Sequence, residues 1–148
     1  MEPFVKRFVK ASVAWLLLGV TFGLAMAMKP EWTVYKAIHV HMMLLGFVTM
    51  MINGVGYHVV PRLAGRALWS PRAAAWHWWL ANVGLASMVA GFWYRANGAA
   101  PGTAVLSAGG SLAAAGIVVF VLEVWRTIES PARGQAEPQP VGLRRRAG

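Results

Sequence analysis

The sequence contains no cysteine and no aspartate, and only five of its 148 residues are acidic. Without thiols there can be no disulfide, Cys-ligated zinc, iron–sulfur cluster or thiolate nucleophile. Five glutamates leave little material for paired-carboxylate catalysis. Charge is scarce altogether: 13% of residues are charged, about half the share of a soluble domain. That is too little polar surface to solvate a globule of this size, and a disordered chain would need still more charge. No glycine-rich phosphate loop, nucleophile elbow or metalloprotease motif occurs. In their place 57% of residues are hydrophobic, with eight Trp and eight Met. This composition predicts an integral membrane protein.

A spanning helix needs roughly 20 mainly apolar residues, and four stretches qualify, at about 11–28, 37–60, 73–94 and 103–125. Lys29-Pro30 ends the first and Pro61-Arg62 the second, while Ser70-Pro71 offers a cap and first turn to the third. The first stretch also imitates a secretory leader, with a basic start and Ala25-Met26-Ala27, but is counted as a retained span. The expected fold is all-α: a four-helix membrane bundle over residues 1–129, followed by a disordered basic tail at 130–148. Eleven Lys and Arg fall on the side of the termini and three (Lys29, Lys36, Arg95) on the other. The positive-inside rule then puts both termini in the cytoplasm. The net charge of +9 is thereby read as a topology signal and a contact with anionic lipid, not as a nucleic-acid surface.

Strongly polar side chains inside spans are costly and become candidates for function. They are His39, His41, Asn53 and His58 on the second span, His77 and Asn82 on the third, and Glu123 on the fourth. Glu123 precedes Arg126 by three residues, which suggests an ion pair at the membrane edge. His39 and His41 are two apart, so on a helix they diverge by about 200° and cannot chelate one ion together. His39 heads a stripe with Met43, Gly46, Met50, Asn53 and Tyr57, in which Gly46 leaves room for a flat ligand. His41 heads an apolar stripe with Leu45, Val48, Ile52 and Val59. Haem iron is a plausible partner for such imidazoles; copper is the alternative, with Met42 and Met43 as soft ligands. His58 and His77 are weaker candidates, interfacial side chains beside Tyr57 and the Trp76/Trp78/Trp79 cluster. Gly19-x-x-x-Gly23, Gly84, Gly109-Gly110 and Gly116 mark places where helices approach closely.

The segment AIHVHMMLLGFVTMMINGVGYHVVPRLAGR resembles the tenth transmembrane helix of subunit I of the haem-copper oxidases, in particular the cbb-type oxidases and nitric oxide reductases. WHWWLANVGLASMVAGFWY resembles the helix that follows it. The likeness covers about 60 residues, from Ala37 to Arg95, and the first span loosely. It implies that His39 is the proximal ligand of a high-spin haem and that His41 ligates a low-spin haem on the opposite side of the helix. The family's copper-binding histidines, cross-linked tyrosine and second-helix haem ligand have no counterpart here, so oxygen or nitric oxide reduction by the family mechanism is not expected. The implied protein is a b-type haem protein of the bacterial cytoplasmic membrane, moving electrons or binding a diatomic gas beside a respiratory-chain partner. His58 and His77 lie about 25 Å from the His39/His41 pair along the helix axis at 1.5 Å per residue. A second axial ligand is therefore expected from a neighbouring copy in a homodimer sharing haems. The alternative function is a non-redox accessory or assembly subunit of a respiratory oxidase.

Overall fold

A computed structural model of the chain describes residues 2–130; the tail from 131 onward, expected to be disordered, lies outside the described residues. Four helical rods run antiparallel in sequence order. α1 is Pro3–Met28. The second rod begins with a 3-10 turn at Pro30–Tyr35 and continues as α2 (Lys36–His41), a wide π-helical stretch (Met42–Thr49) and α3 (Met50–Leu63). α4 is Pro71–Ala96 and α5 is Gly102–Glu129. α1, the second rod and α5 are long and apolar enough to cross a membrane. α4 is as long as α1, but its Trp, His and Asn residues make it less apolar. It packs along α5 over its whole length and so shares α5's depth.

That packing follows from a seven-residue rhythm of small residues. Along α4 the buried positions include His77, Gly84 and Gly91; along α5 they include Gly102, Gly109, Gly116 and Glu123. A Cβ added at Gly84 would lie 2.6 Å from the Ala113 backbone nitrogen, and one at Gly91 would lie 2.5 Å from that of Leu106. The two backbones touch where side chains would hold them apart, as in small-residue seams of membrane helices.

The loops after α3 and α4 are each closed by a glycine with positive φ. After α3, Gly65 (φ 63°) lets Arg66 N–H reach the Pro61 carbonyl at 2.9 Å and its own N–H reach Arg62 at 3.1 Å. After α4, Gly98 (φ 68°) sets the same pair of bonds from Ala99 to Tyr94 and from Gly98 to Arg95. These are Schellman closures, which satisfy the last carbonyls of a helix. α3 runs past Pro61, beyond the expected end near Val60. At the start of α4, Ser70 Oγ accepts from Ala73 N at 3.2 Å, with Pro71 in the first turn.

One end of the bundle gathers the N-termini of α1 and α4 and the C-termini of α3 and α5. The Phe4 and Tyr57 rings meet there at 5.8 Å, and Arg66 donates to the Ile128 carbonyl. This end carries the clustered arginines and is called the basic end below. The core lies toward it, around Phe4, Val5, Phe8, Met50, Tyr57, Ala74 and Leu85.

Candidate functional site

The four histidines are sorted by what their ring nitrogens touch. His39 leaves the second rod toward α1. Its Nδ1 lies 2.9 Å from the Gly19 carbonyl, and its Cε1 would be 2.7 Å from a Cβ on Gly23. The ring therefore sits in the groove of the Gly19-x-x-x-Gly23 motif, with Met43 Sδ one turn along, over Gly19. His41 faces α4: its Nδ1 lies 2.8 Å from the Ala37 carbonyl, and its ring meets Phe92 at 4.7 Å between centroids. The two rings do diverge onto different helices. A carbonyl can only accept, so both Nδ1 atoms carry a proton, and in the neutral imidazole Nε2 is then the atom with a lone pair. A backbone carbonyl orienting Nδ1–H is the arrangement that fixes a histidine's tautomer for metal ligation through Nε2. Both rings are half-buried.

His77 and His58 have different surroundings. His77 is fully buried within the bundle, not exposed as an interfacial side chain as the sequence suggested. Its Nδ1 pairs with the Tyr57 hydroxyl at 2.8 Å and its Nε2 faces Asn53 Nδ2 at 3.4 Å. Phe8 packs against the ring at 4.9 Å and Phe120 at 5.9 Å. With both nitrogens engaged, His77 has none to offer an ion. It belongs to a polar knot in the core that satisfies three costly groups at once. His58 Nδ1 lies 2.6 Å from Arg62 Nη1. Arginine only donates, so Nδ1 is the acceptor and Nε2 bears the proton. His58 is a hydrogen-bond donor in this form.

Gly46 also serves packing. A Cβ there would fall 2.7 Å from Trp15 Cβ and 3.0 Å from Leu85 Cδ2, so the Trp15 side chain occupies the slot that the sequence left open for a flat ligand. Trp15 Nε1 donates to Asn82 Oδ1 at 3.1 Å, which places Asn82 in the same contact. Glu123 is not paired with Arg126. It turns inward, fully buried, and its Oε2 accepts from Ser70 N at 3.1 Å while Arg126 stacks over Trp69 at 5.1 Å. Glu123 thereby supplies an acceptor for the N–H of the residue that caps the start of α4.

Two features escaped the sequence reading. The π-helical stretch directly after His41 widens the rod, and Thr49 Oγ1 donates to the carbonyl five residues back, at Leu44, at 2.8 Å. In the structure it shows in the buried spacing Met42, Gly46, Met50, two steps of four where an α-helix would alternate three and four. The seven-residue glycine rhythm is the second. Its signal in the sequence is the seven-residue spacing of Gly84 and Gly91 and of Gly102, Gly109 and Gly116. A cavity of about 220 Å³ lies deeper, lined by Met50, Asn53, Leu85, Met88 and Ile117 among others. It is apolar, below the roughly 300–1,000 Å³ of ordinary small-molecule sites, and no histidine lines it.

These features define a multi-pass helical membrane protein that carries two divergent, oriented imidazoles near one end of a single rod. The family model described as Cytochrome C and Quinol oxidase polypeptide I matches residues 4–138. The chain belongs to that family, as the resemblance of its second and third spans implied. It is 29% identical over 172 aligned positions to the Cbb3-type cytochrome c oxidase subunit CcoN1 of Stutzerimonas stutzeri, covering 91% of this chain and 35% of that protein. Cytochrome c oxidase subunit 1 of Rhodobacter capsulatus is 38% identical over 64 residues, covering 43% of this chain and 12% of the relative. A cytochrome c oxidase subunit 1 homolog of Agrobacterium tumefaciens (strain T37) is 33% identical over 101 residues, covering 62% and 18%. The chain thus spans about a third or less of the length of these relatives. Family and apolar helices together make it a multi-pass protein of the bacterial inner membrane.

Proposed function

We propose that the chain is a haem-binding membrane module, in which His39 and His41 each offer Nε2 to the iron of a b-type haem on a different flank of the second rod. The observation that carries this reading is the pair of Nδ1–H bonds to backbone carbonyls, at 2.9 Å for His39 and 2.8 Å for His41. They hold both rings in the ligating tautomer, while His58 and His77 lack a free nitrogen lone pair. Membership of the oxidase subunit I family agrees with it.

Bound haem would supply one-electron exchange, or an iron position for a diatomic gas where one axial face stays open. The protein's own residues do the rest. Gly19 and Ala37 fix the rings through their carbonyls, Gly23 makes room for the His39 imidazole, and Phe92 backs His41. Apolar neighbours, Met43 beside His39 and Phe92 beside His41, would shield part of each ring from water and so tune the potential. For copper, no third ligand from His, Cys, Asp or Glu joins the rings among the described residues, and the Met43 thioether is packed over Gly19. Haem is the better fit.

Each ring is only half-buried, so part of it faces outward from the bundle. A two-fold dimer would cover that face and bring a second imidazole to a shared haem. The relatives are subunits of cytochrome c oxidases, which points to a respiratory-chain partner. The basic end is assigned to the cytoplasm by the positive-inside rule.

The test is to purify the chain from haem-replete cells and record oxidised and reduced absorption spectra with and without carbon monoxide, alongside its mass in detergent. A red preparation with a sharp Soret band and a dimer mass is expected. Colourless protein co-purifying with oxidase subunits would replace this reading with an accessory role. Full haem content in a strict monomer would remove the shared-haem dimer.

A further inference from the structure

The basic end holds a second site that does not depend on haem ligation. A cavity of about 310 Å³ opens at the junction of α3 and α4, and Glu2, His58, Arg62, Arg66 and Pro71 are among the residues lining it. Both arginines are anchored by one nitrogen. Arg62 Nη1 is held by the His58 carbonyl at 2.7 Å and by His58 Nδ1 at 2.6 Å, and Arg66 Nη1 is held by the Ile128 carbonyl. Among the described residues the other N–H donors of each planar guanidinium have no partner, and the Schellman turn at Gly65 fixes the backbone between them. Because Arg62 forces His58 Nδ1 to accept, His58 Nε2–H adds a third, neutral donor. Three donor side chains therefore line one cavity, opposed among the described residues by a single carboxylate, Glu2.

We propose that this cavity binds a phosphate group, with Arg62, Arg66 and His58 Nε2–H as its donors. Preorganised guanidinium forks match phosphate oxygens in pairs, and the ends of membrane spans are where phosphate headgroups lie. The phosphate can belong to an anionic lipid or be free in solution; its chemistry toward these donors is the same.

The full chain in detergent is titrated with phosphatidylglycerol, phosphatidylcholine of the same acyl composition, and inorganic phosphate, and retained ligand is counted by native mass spectrometry. Preferential retention of one phosphatidylglycerol is expected if the source is lipid. If the source is solution phosphate, inorganic phosphate is retained and displaces the lipid. At about 1 kcal/mol per interfacial cation, Arg62→Gln and Arg66→Gln should each weaken binding about five-fold. Arg72→Gln is the control, with the same loss of charge at the same end of the bundle but outside the cavity lining. Glu2→Gln should strengthen binding, a gain that misfolding cannot produce. Equal losses in Arg72→Gln and Arg62→Gln would overturn the site. So would an unchanged or weaker affinity in Glu2→Gln, or retention of neither phosphatidylglycerol over phosphatidylcholine nor phosphate.

Discussion

Replacing Gly23 with Ala probes the His39 setting without touching the histidine. The new methyl would sit 2.7 Å from His39 Cε1 and 3.0 Å from Nδ1, where ordinary contact begins at 3.4 Å. The ring must therefore retreat by about 0.7 Å, and its 2.9 Å bond to the Gly19 carbonyl passes out of good range. Losing a net hydrogen bond costs about 0.5–1.5 kcal/mol, and overpacking adds about 1–3 kcal/mol. Alanine itself favours a helix over glycine by roughly 0.5–1 kcal/mol, so α1 is not weakened by the exchange. If about 1.4–2.8 kcal/mol reaches the ligand, haem affinity falls about 10- to 100-fold, the range seen when groups that orient metal ligands are altered. The assay is haem titration of the apoprotein, followed at the Soret band. Gly110→Ala is the control, since a methyl there meets nothing within 4 Å. Undiminished affinity in Gly23→Ala, or an equal loss in Gly110→Ala, would refute the reasoning.

Three further outcomes concern the scaffold. Gly91→Ala places a methyl 2.5 Å from the Leu106 backbone nitrogen, where no side chain can yield; it should destabilise the α4–α5 pair by about 1–3 kcal/mol, read as a lower Tm in detergent, with Gly110→Ala unchanged. His77→Leu strands the Tyr57 hydroxyl and the Asn53 amide in the core, at about 1–3 kcal/mol for each unsatisfied group. Adding Tyr57→Phe should restore part of that loss, and strictly additive Tm changes would contradict the hydrogen-bonded knot. Glu123→Leu removes the acceptor for Ser70 N–H; amide exchange at Ser70 should accelerate, and unaltered protection there would show that the carboxylate does not hold the start of α4.

The four rods could be read in the sequence because apolar runs of spanning length are bounded by Lys29-Pro30, Pro61-Arg62 and Ser70-Pro71, although α3 continues through Pro61 to Leu63. The divergence of His39 and His41 was equally legible, since two residues on a helix fix an angle whatever the helix packs against. The partners of each ring were not. That Gly19 would supply a carbonyl to His39, or that Trp15 would fill the space at Gly46, depends on how α1 lies across the second rod, and no local pattern encodes that crossing. His77 was misplaced for a related reason. A histidine near a tryptophan cluster reads as interfacial, and only the convergence of Tyr57 and Asn53 from another rod makes its burial tolerable. The inward turn of Glu123 likewise depends on Ser70, 53 residues away in the chain. The π-helical stretch lies in a run of apolar residues compatible with either helix geometry, so its register was set by tertiary packing.

In the proposed function His39 and His41 are poised to hold iron and His58 and His77 are not. Quantitative haem content and reduced-minus-oxidised spectra of the single variants His39→Ala, His41→Ala, His58→Ala and His77→Ala test it together. Loss of haem or an altered Soret band is expected in the first two, with the spectrum retained in folded His58→Ala and His77→Ala. Full haem in the double variant His39→Ala/His41→Ala, or its loss on removing His58 alone, would contradict the account.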